Sequence, residues 1–210
     1  RPLFYDEGKH SSIWMINEEN VPGIKGSRIS IESSSKVWNA CGIRIGALLT
    51  DNEDFHLKAI SEYTANLCAN AIGQEIFGAL AHESHEEIQI WYESQRNYYR
   101  KILFDLKSDF QKQLPGLIVT EPEAALYCII DFKNICNENF KASTFINYCA
   151  RFGKVDLMGK SYTLLLAPMN GFYSNSKKGR TQLRVAIVES PDRMSLAPKI
   201  LSKLFMDFSE

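Results

Sequence analysis

Residues 72–113 carry one long stretch of helical periodicity, bracketed on both sides by strand-like patterns. Ile76, Phe77, Leu80, Ile88, Trp91, Tyr92, Tyr99, Leu103 and Leu106 recur at threes and fours, which lays them along one face of a helix. A short break is expected near 82–85, and Pro115-Gly116 ends the run, because proline has no N–H to donate and clashes with the preceding turn. Before the helix, residues 28–32 alternate as a strand does and 43–50 form a β-branched, apolar run. Asp51-Asn52-Glu53-Asp54 supplies capping chemistry and an acidic first turn for a helix over 53–67. After Pro115 the pattern predicts strands at 117–120 and 125–132, a helix at 143–152, strands at 162–166 and 182–188, and a closing helix at 193–208. The fold class is α/β, with a boundary at the end of the long helix: residues 1–112, then a smaller α/β domain at 113–210.

Several function classes are excluded by composition. Of 210 residues, 45% are hydrophobic and 23% charged, enough to build ordinary soluble cores. A formal net charge of −1 gives no reason to expect nucleic acid. No apolar run approaches the roughly 20 residues that span a bilayer, so no membrane is expected. The cysteines (Cys41, Cys68, Cys128, Cys136, Cys149) are odd in number, widely spaced and mostly set among apolar neighbours. They are expected to be small core residues in a reducing, cytoplasmic setting. His82 and His85 with Glu83, Glu86 and Glu87 have a spacing a metal could use, but a solvated helix face is the expected reading, and no metal is assigned.

The chemistry concentrates in Ser33-Ser34-Ser35-Lys36-Val37-Trp38-Asn39-Ala40-Cys41-Gly42-Ile43-Arg44-Ile45-Gly46. Serines stand three before and one before the lysine, and Gly-x-Arg-x-Gly begins six after it, with Arg44 placed at the start of a strand. Singly these residues are ordinary surface groups; what needs explaining is their combination.

The segment resembles the Ser-x-Ser-Lys…Gly-x-Arg-x-Gly motif of fold-type-I pyridoxal-phosphate enzymes, especially the class I and II aminotransferases. The resemblance implies an α/β fold made of the C-terminal part of the large cofactor-binding domain with a long connecting helix, followed by the small C-terminal domain. It implies pyridoxal 5'-phosphate as cofactor, with Lys36 as the catalytic residue that binds it covalently and moves the substrate α-proton. Ser33, Ser35 and Arg44 would hold the phosphate, and Gly42 and Gly46 would permit close backbone approach beside it.

The region Tyr162-Thr163-Leu164-Leu165-Leu166-Ala167-Pro168, Gly171-Phe172-Tyr173 and Leu183-Arg184-Val185-Ala186 is similar to the family's C-terminal part, which makes Arg184 the receiver of the substrate carboxylate. The alternative is an edge-strand arginine paired with Glu189 or with solvent. Met169 stands where the family usually has glycine. Residues 121–127 resemble the opening strand of the small domain. Residues 68–74 resemble a loop that reaches a neighbouring subunit's cofactor, with an ordinary turn as the alternative.

The resemblance spans the whole chain but about half the family's length. The family's Asp-x-x-Tyr motif is expected just upstream of Leu3-Phe4-Tyr5-Asp6, at about the point where this sequence begins, and Tyr5 does not take the tyrosine's role because Pro2 stands where the aspartate would be. A sheet cut short would expose unpaired strand edges and an apolar face. The expectation is therefore a truncated or split aminotransferase acting on an amino acid and a 2-oxo acid, a homodimer in its complete form, and inactive without its N-terminal half. A non-catalytic module of the same fold, or a lyase or synthase, are the alternatives.

Overall fold

Ile29-Ser30-Ile31 alternates β-branched and small residues, and in the computed structural model these open strand β1 (Ile29–Ser33). The residues described are 3–5, 11–66, 68–175 and 177–209; Pro2 lies outside them. A single helical turn, α1 (Ser34–Val37), and a 3-10 turn at Cys41–Ile43 lead to β2 (Gly46–Thr50). β1 and β2 form an antiparallel two-stranded sheet whose register runs from Ile29 opposite Thr50 to Ser33 opposite Gly46. The expected strand at 43–50 thus starts three residues late. The 3-10 turn occupies 41–43, and Arg44 sits in the left-handed region with φ 57 and ψ 39, which no strand residue adopts.

Helix α2 (Glu53–Ala65) is capped by Asn52, whose side chain accepts from the Phe55 N–H at 2.8 Å. The long periodic stretch is two helices, α3 (Ala71–Gly78) and α4 (His85–Gln113), separated by a 3-10 turn at Ala79–His82. The break falls where expected and has a local cause. Ser84 and Glu87 form a reciprocal cap: the Glu87 carboxylate accepts from the Ser84 N–H at 2.8 Å and its hydroxyl at 2.7 Å, while the Ser84 hydroxyl accepts from the Glu87 N–H at 3.2 Å.

Beyond Pro115 come β3 (Ile118–Val119), β4 (Tyr127–Asp131), α5 (Ala142–Arg151), β5 (Val155–Leu157), β6 (Lys160–Tyr162), β7 (Ala167–Pro168), β8 (Gln182–Ala186), α6 (Pro191–Met194) and α7 (Ala197–Ser209). Four of these strands form one antiparallel sheet in the order β3-β4-β8-β7, and β5 pairs with β6. The strand expected at 162–166 is not formed; pairing stops at Tyr162 and resumes at Ala167.

The chain divides into two compact units, residues 1–95 and 96–210, with the division inside α4. The second unit has a conventional core. Cys128 and Ile130 of β4 and Leu183 and Val185 of β8 point to one face of the sheet and are buried with Leu103, Leu106 and Phe110 of α4, Phe145 of α5, and Leu201 and Leu204 of α7. Phe132 packs against Phe140, Phe145 and Phe205 with ring centroids 5.2, 5.8 and 4.9 Å away. Burial pushes the thiols of Cys128 and Cys149 up to about 12 and about 11, so both stay protonated and inert. Cys41 and Cys68 depart from the expected core role: they are exposed.

The first unit is built differently. Among its described residues Tyr5 is the one buried hydrophobic side chain, while Ile29, Ile31, Leu48 and Leu49 of the two-stranded sheet are all exposed, Ile31 by 71%. Polar ties hold its loops instead. The Asp51 carboxylate accepts from the Gly26 N–H, the Arg28 N–H (both 3.0 Å) and Arg28 Nε (2.7 Å), while Arg28 also donates to the Ile16 carbonyl and lies 5.5 Å over the Trp14 ring.

Partial burial pushes the Asp51 carboxyl up, but the Gly26 and Arg28 donors pull it further down, to about 2. Its ordinary value is 3.8, so the stabilisation is complete above that pH and is lost as pH falls through about 2. Hydrogen-exchange protection of the Gly26 and Arg28 amides should therefore fall across that window. Asp51→Asn should weaken the protection at neutral pH and flatten its acid dependence, leaving the separate tie from Glu18 to the Gly23 and Lys25 amides in place.

Candidate functional site

Pairing of Ser33 with Gly46 closes residues 34–45 into a loop whose two ends meet on adjacent strands. Gly46 makes this possible: a Cβ there would stand 2.8 Å from the Glu32 carbonyl oxygen. Gly42, expected to serve a similar close approach, has open space around it. Inside the loop the clasp is Ser34. It is buried, and its hydroxyl donates to the carbonyls of Ile45 (2.8 Å) and Ala40 (3.3 Å). The Ser34 N–H also donates to the Ile45 carbonyl at 3.1 Å. Nothing in the spacing distinguished Ser34 from its neighbours, because three serines in a row share one composition and only the fold selects which of them turns inward.

The predicted donors sit around this clasp. Ser33 caps α1, its hydroxyl accepting from the Ser35 N–H at 3.2 Å. Lys36 is exposed in the last turn of α1, and Ser35 is half-buried beside it. Arg44 is exposed, and its guanidinium donates to the Cys41 carbonyl at 2.9 Å, bracing the 3-10 turn from outside. The turn is in turn backed by α3. Asn70 caps α3 by accepting from the Gly73 N–H at 3.2 Å and donates to the Ile43 carbonyl at 3.4 Å. Gly73 is buried against the same carbonyl. Asn70 and Gly73 thus back the Arg44 turn within this unit.

A cavity of about 940 Å³ opens beside the loop, lined by Ser12, Ser30, Ser33, Ser34, Trp38 and Tyr92 among others. Of the predicted site residues only Ser33 lines it; Ser35, Lys36 and Arg44 do not. Trp38, two residues past Lys36, forms the wall. It stacks on Trp91 at 5.1 Å and 21°, lies 5.1 Å from Tyr92, and meets Phe77 edge-on at 5.9 Å. Partial burial and, after it, the Glu32 carboxylate raise the pKa of the Tyr92 phenol.

Arg184 occupies a different environment, in the second unit. It lies on β8 opposite Ile129 of β4 and Ala167 of β7, so it belongs to an inner strand and not to an edge. Glu189, its possible partner, pairs instead with Arg193 at 3.0 Å. The guanidinium carbon is 4.6 Å from the Tyr127 ring centroid and 4.8 Å from that of Phe172. Its Nε is closed off from solvent and has no hydrogen-bond partner. A buried, unpaired donor on a cation is costly, and a negative charge brought beside the guanidinium offsets part of that cost. The signal that could have revealed Tyr127 is register: it stands on the same face of β4 as Ile129, diagonal to Arg184, a relation that single-sequence alternation does not disclose.

One closed loop carries the amine of Lys36, the hydroxyls of Ser33 and Ser35 and the guanidinium of Arg44, groups of the kind that bind a phosphorylated aldehyde, and of the four only Ser33 faces the neighbouring cavity. The sequence profile of the family described as aminotransferase class I and II matches residues 7–193, and the chain belongs to that family. No curated protein sequence matches it.

Solved structures share its fold. The α-aminoadipate aminotransferase LysN of Thermus thermophilus, complexed with N-(5'-phosphopyridoxyl)-L-leucine, superposes with a TM-score of 0.73 at 15% identity, covering 99% of this chain and 48% of its own. The kynurenine aminotransferase of Pyrococcus horikoshii gives 0.72 at 16%, covering 100% and 46%. The N-succinyldiaminopimelate aminotransferase of Mycobacterium tuberculosis gives 0.71 at 18%, covering 97% and 47%. The chain thus spans about half the length of each of these enzymes.

The support of the Arg44 turn is open to test. A methyl group at Gly73 would meet the Ile43 carbonyl oxygen at 2.7 Å and Ile45 Cγ1 at 2.9 Å. Gly73→Ala would gain about 1 kcal/mol of helix propensity, but overpacking costs about 1–3 kcal/mol and should win. The expected outcome is net destabilisation, with loss of hydrogen-exchange protection at Ser34 and Ala40; unchanged protection would mean that α3 does not brace the loop.

Proposed function

We propose that the complete protein is a pyridoxal-phosphate-dependent aminotransferase, moving an amino group from an amino acid to a 2-oxo acid in amino-acid metabolism. The observation that carries this is the family match across residues 7–193, a span that includes Lys36, Arg44 and Arg184. When bound, pyridoxal phosphate supplies the electron sink for amino-group transfer. The chain's own residues do the rest. Lys36 holds the cofactor and moves a proton at the substrate α-carbon. Ser33, Ser35 and Arg44 neutralise and orient the phosphate, and Arg184 fixes the substrate carboxylate. Residues 1–112 form part of the cofactor-binding domain and 113–210 the small domain. Turnover needs the N-terminal half of the fold, and the complete enzyme works as a cytoplasmic homodimer. No helix among the described residues is long and apolar enough to cross a membrane.

One observation favours a second proposal, a non-catalytic module of the same fold: Lys36 and Arg44 are exposed and stand outside the cavity lining. Pyridoxal phosphate added to the protein and reduced with borohydride separates the two. The expected outcome is a stable pyridoxyl label on Lys36, found by peptide mass spectrometry and abolished by Lys36→Ala. Labelling spread over surface lysines, or surviving Lys36→Ala at equal yield, would favour the module.

The two arginines should also separate. In the complete enzyme Arg44→Ala should weaken cofactor retention by on the order of 2–5 kcal/mol, as expected for loss of a desolvated charge-assisted contact. Arg184→Ala should leave the cofactor bound and raise the substrate KM. Equal cofactor loss from both changes would contradict these roles.

A further inference from the structure

Arg184 is held by two rings that reach it from different elements. Tyr127 comes from β4, on the same face of the sheet as Ile129, which pairs with Arg184. Phe172 comes from the 3-10 turn Asn170–Phe172 that follows β7. That turn has a fixed seat. Gly179, at φ +73, lies so close to it that a Cβ would stand 2.7 Å from the Met169 carbonyl and 2.8 Å from the Tyr173 ring. Met169 itself is buried and its N–H donates to the Gln182 carbonyl at 3.0 Å. Tyr173, next to Phe172, donates through its hydroxyl to the Gln182 side chain at 2.8 Å, and Gln182 donates to the buried Asp131 carboxylate at 2.9 Å. Phe172 is therefore 55% exposed yet carried on a pinned turn, directly over the cation.

We propose that Tyr127 and Phe172 are positioning residues that fix the Arg184 guanidinium and make its site selective for planar carboxylates over tetrahedral oxyanions. This rests on Arg184 being the carboxylate site of the proposed function. The physical argument is the charge distribution of the rings. Each presents an electron-rich face to the cation, and those faces repel an incoming anion. Approach is left to the edge of the two terminal nitrogens, since Nε is closed off from solvent. A carboxylate can lie flat against that edge with both oxygens in the guanidinium plane. A sulfonate or phosphonate that does the same must place a third oxygen out of the plane, toward a ring face. The clamp also holds the long arginine side chain in one arrangement before the ligand arrives, so less is lost on binding.

The experiment is a titration of the chain, with arginine labelled in 15N, by acetate and separately by methanesulfonate, following the Arg184 Nε–H resonance. Wild type should bind acetate more tightly than methanesulfonate. Phe172→Leu and Tyr127→Leu should each reduce that preference by about two- to fivefold, the factor a cation–ring contact commonly contributes. Phe172→Tyr and Tyr127→Phe, which keep the rings, should retain it. Phe172 is exposed, so its substitution leaves the core intact and suffices by itself if Tyr127→Leu fails to fold. Acetate binding intact with an unchanged preference in Phe172→Leu, or no preference in wild type, overturns the proposal while leaving Arg184 as a carboxylate site. Absence of any acetate response at the Arg184 resonance in wild type, or acetate affinity unchanged in Arg184→Gln, overturns that assignment itself.

Discussion

The loop that carries Lys36 exists because one buried hydroxyl holds its two ends together. Ser34 follows β1, and its donors reach Ile45 one residue before β2, so the strands stay in register and the intervening residues become a closed turn. A serine buried without partners would cost more than it returns, but here the hydroxyl and the N–H both converge on the Ile45 carbonyl. Gly46 supplies the other half of the condition by letting the Glu32 carbonyl come within the space a Cβ would fill. The left-handed backbone at Asn39 (φ 52) and Arg44 (φ 57) follows from these constraints: a chain fixed at both ends and turned twice in a dozen residues needs bends that β-branched residues do not supply.

Much of this was legible in the sequence, and the parts that were not share a reason. Helical periodicity located α3 and α4, and the pause near 82–85 coincides with the Ser84–Glu87 cap, a signal written in adjacent residues. Asn52 announced α2 in the same local way. The misplacements concern relations across the chain. The start of β2 moved because Arg44 adopts a backbone conformation dictated by Ser34 and by Gly73, far away in sequence. The strand expected at 162–166 failed because Thr163 turns aside to donate to the Cys149 carbonyl at 2.8 Å, a bond to α5 that no alternation pattern encodes. For the site, residue types and spacing pointed, through their resemblance to a family motif, to Ser33, Ser35, Lys36, Arg44 and Arg184. They did not single out Ser34, Trp38, Tyr127 or Phe172, whose importance is visible only from what they touch.

The two arginines illustrate how one side chain serves opposite ends. Arg44 is exposed and braces a turn by donating to the Cys41 carbonyl, so its fork is partly engaged in local structure. Arg184 is drawn into a sheet, covered by two rings and left with a buried N–H unanswered. Cation–ring contacts of about 0.5–2 kcal/mol each offset the roughly 1–3 kcal/mol that an unpaired buried donor costs, so the arrangement is sustainable without a ligand and improved by one. Such a residue is poised toward an anion in a way that a surface arginine, hydrated on all sides, is not.

The two units differ in what they bury, and this bears directly on activity. Residues 96–210 enclose an aromatic and aliphatic core with helices against one face of a four-stranded sheet, the layered arrangement of a self-sufficient domain. The described residues of 1–95 form two strands and helices that share no buried core, with Ile29, Ile31, Leu48, Leu57, Ile60, Ile72 and Ile76 exposed. Apolar surface on both strands of an open two-stranded sheet is what a domain shows when a packing layer is supplied from elsewhere. If that layer also covers the loop at 34–45, it is what turns an exposed Lys36 into an enclosed one. Amino-group transfer needs water kept from the reacting amine, so under the proposed function a layer over the exposed apolar side chains of the first unit would serve the exposed Lys36 as well.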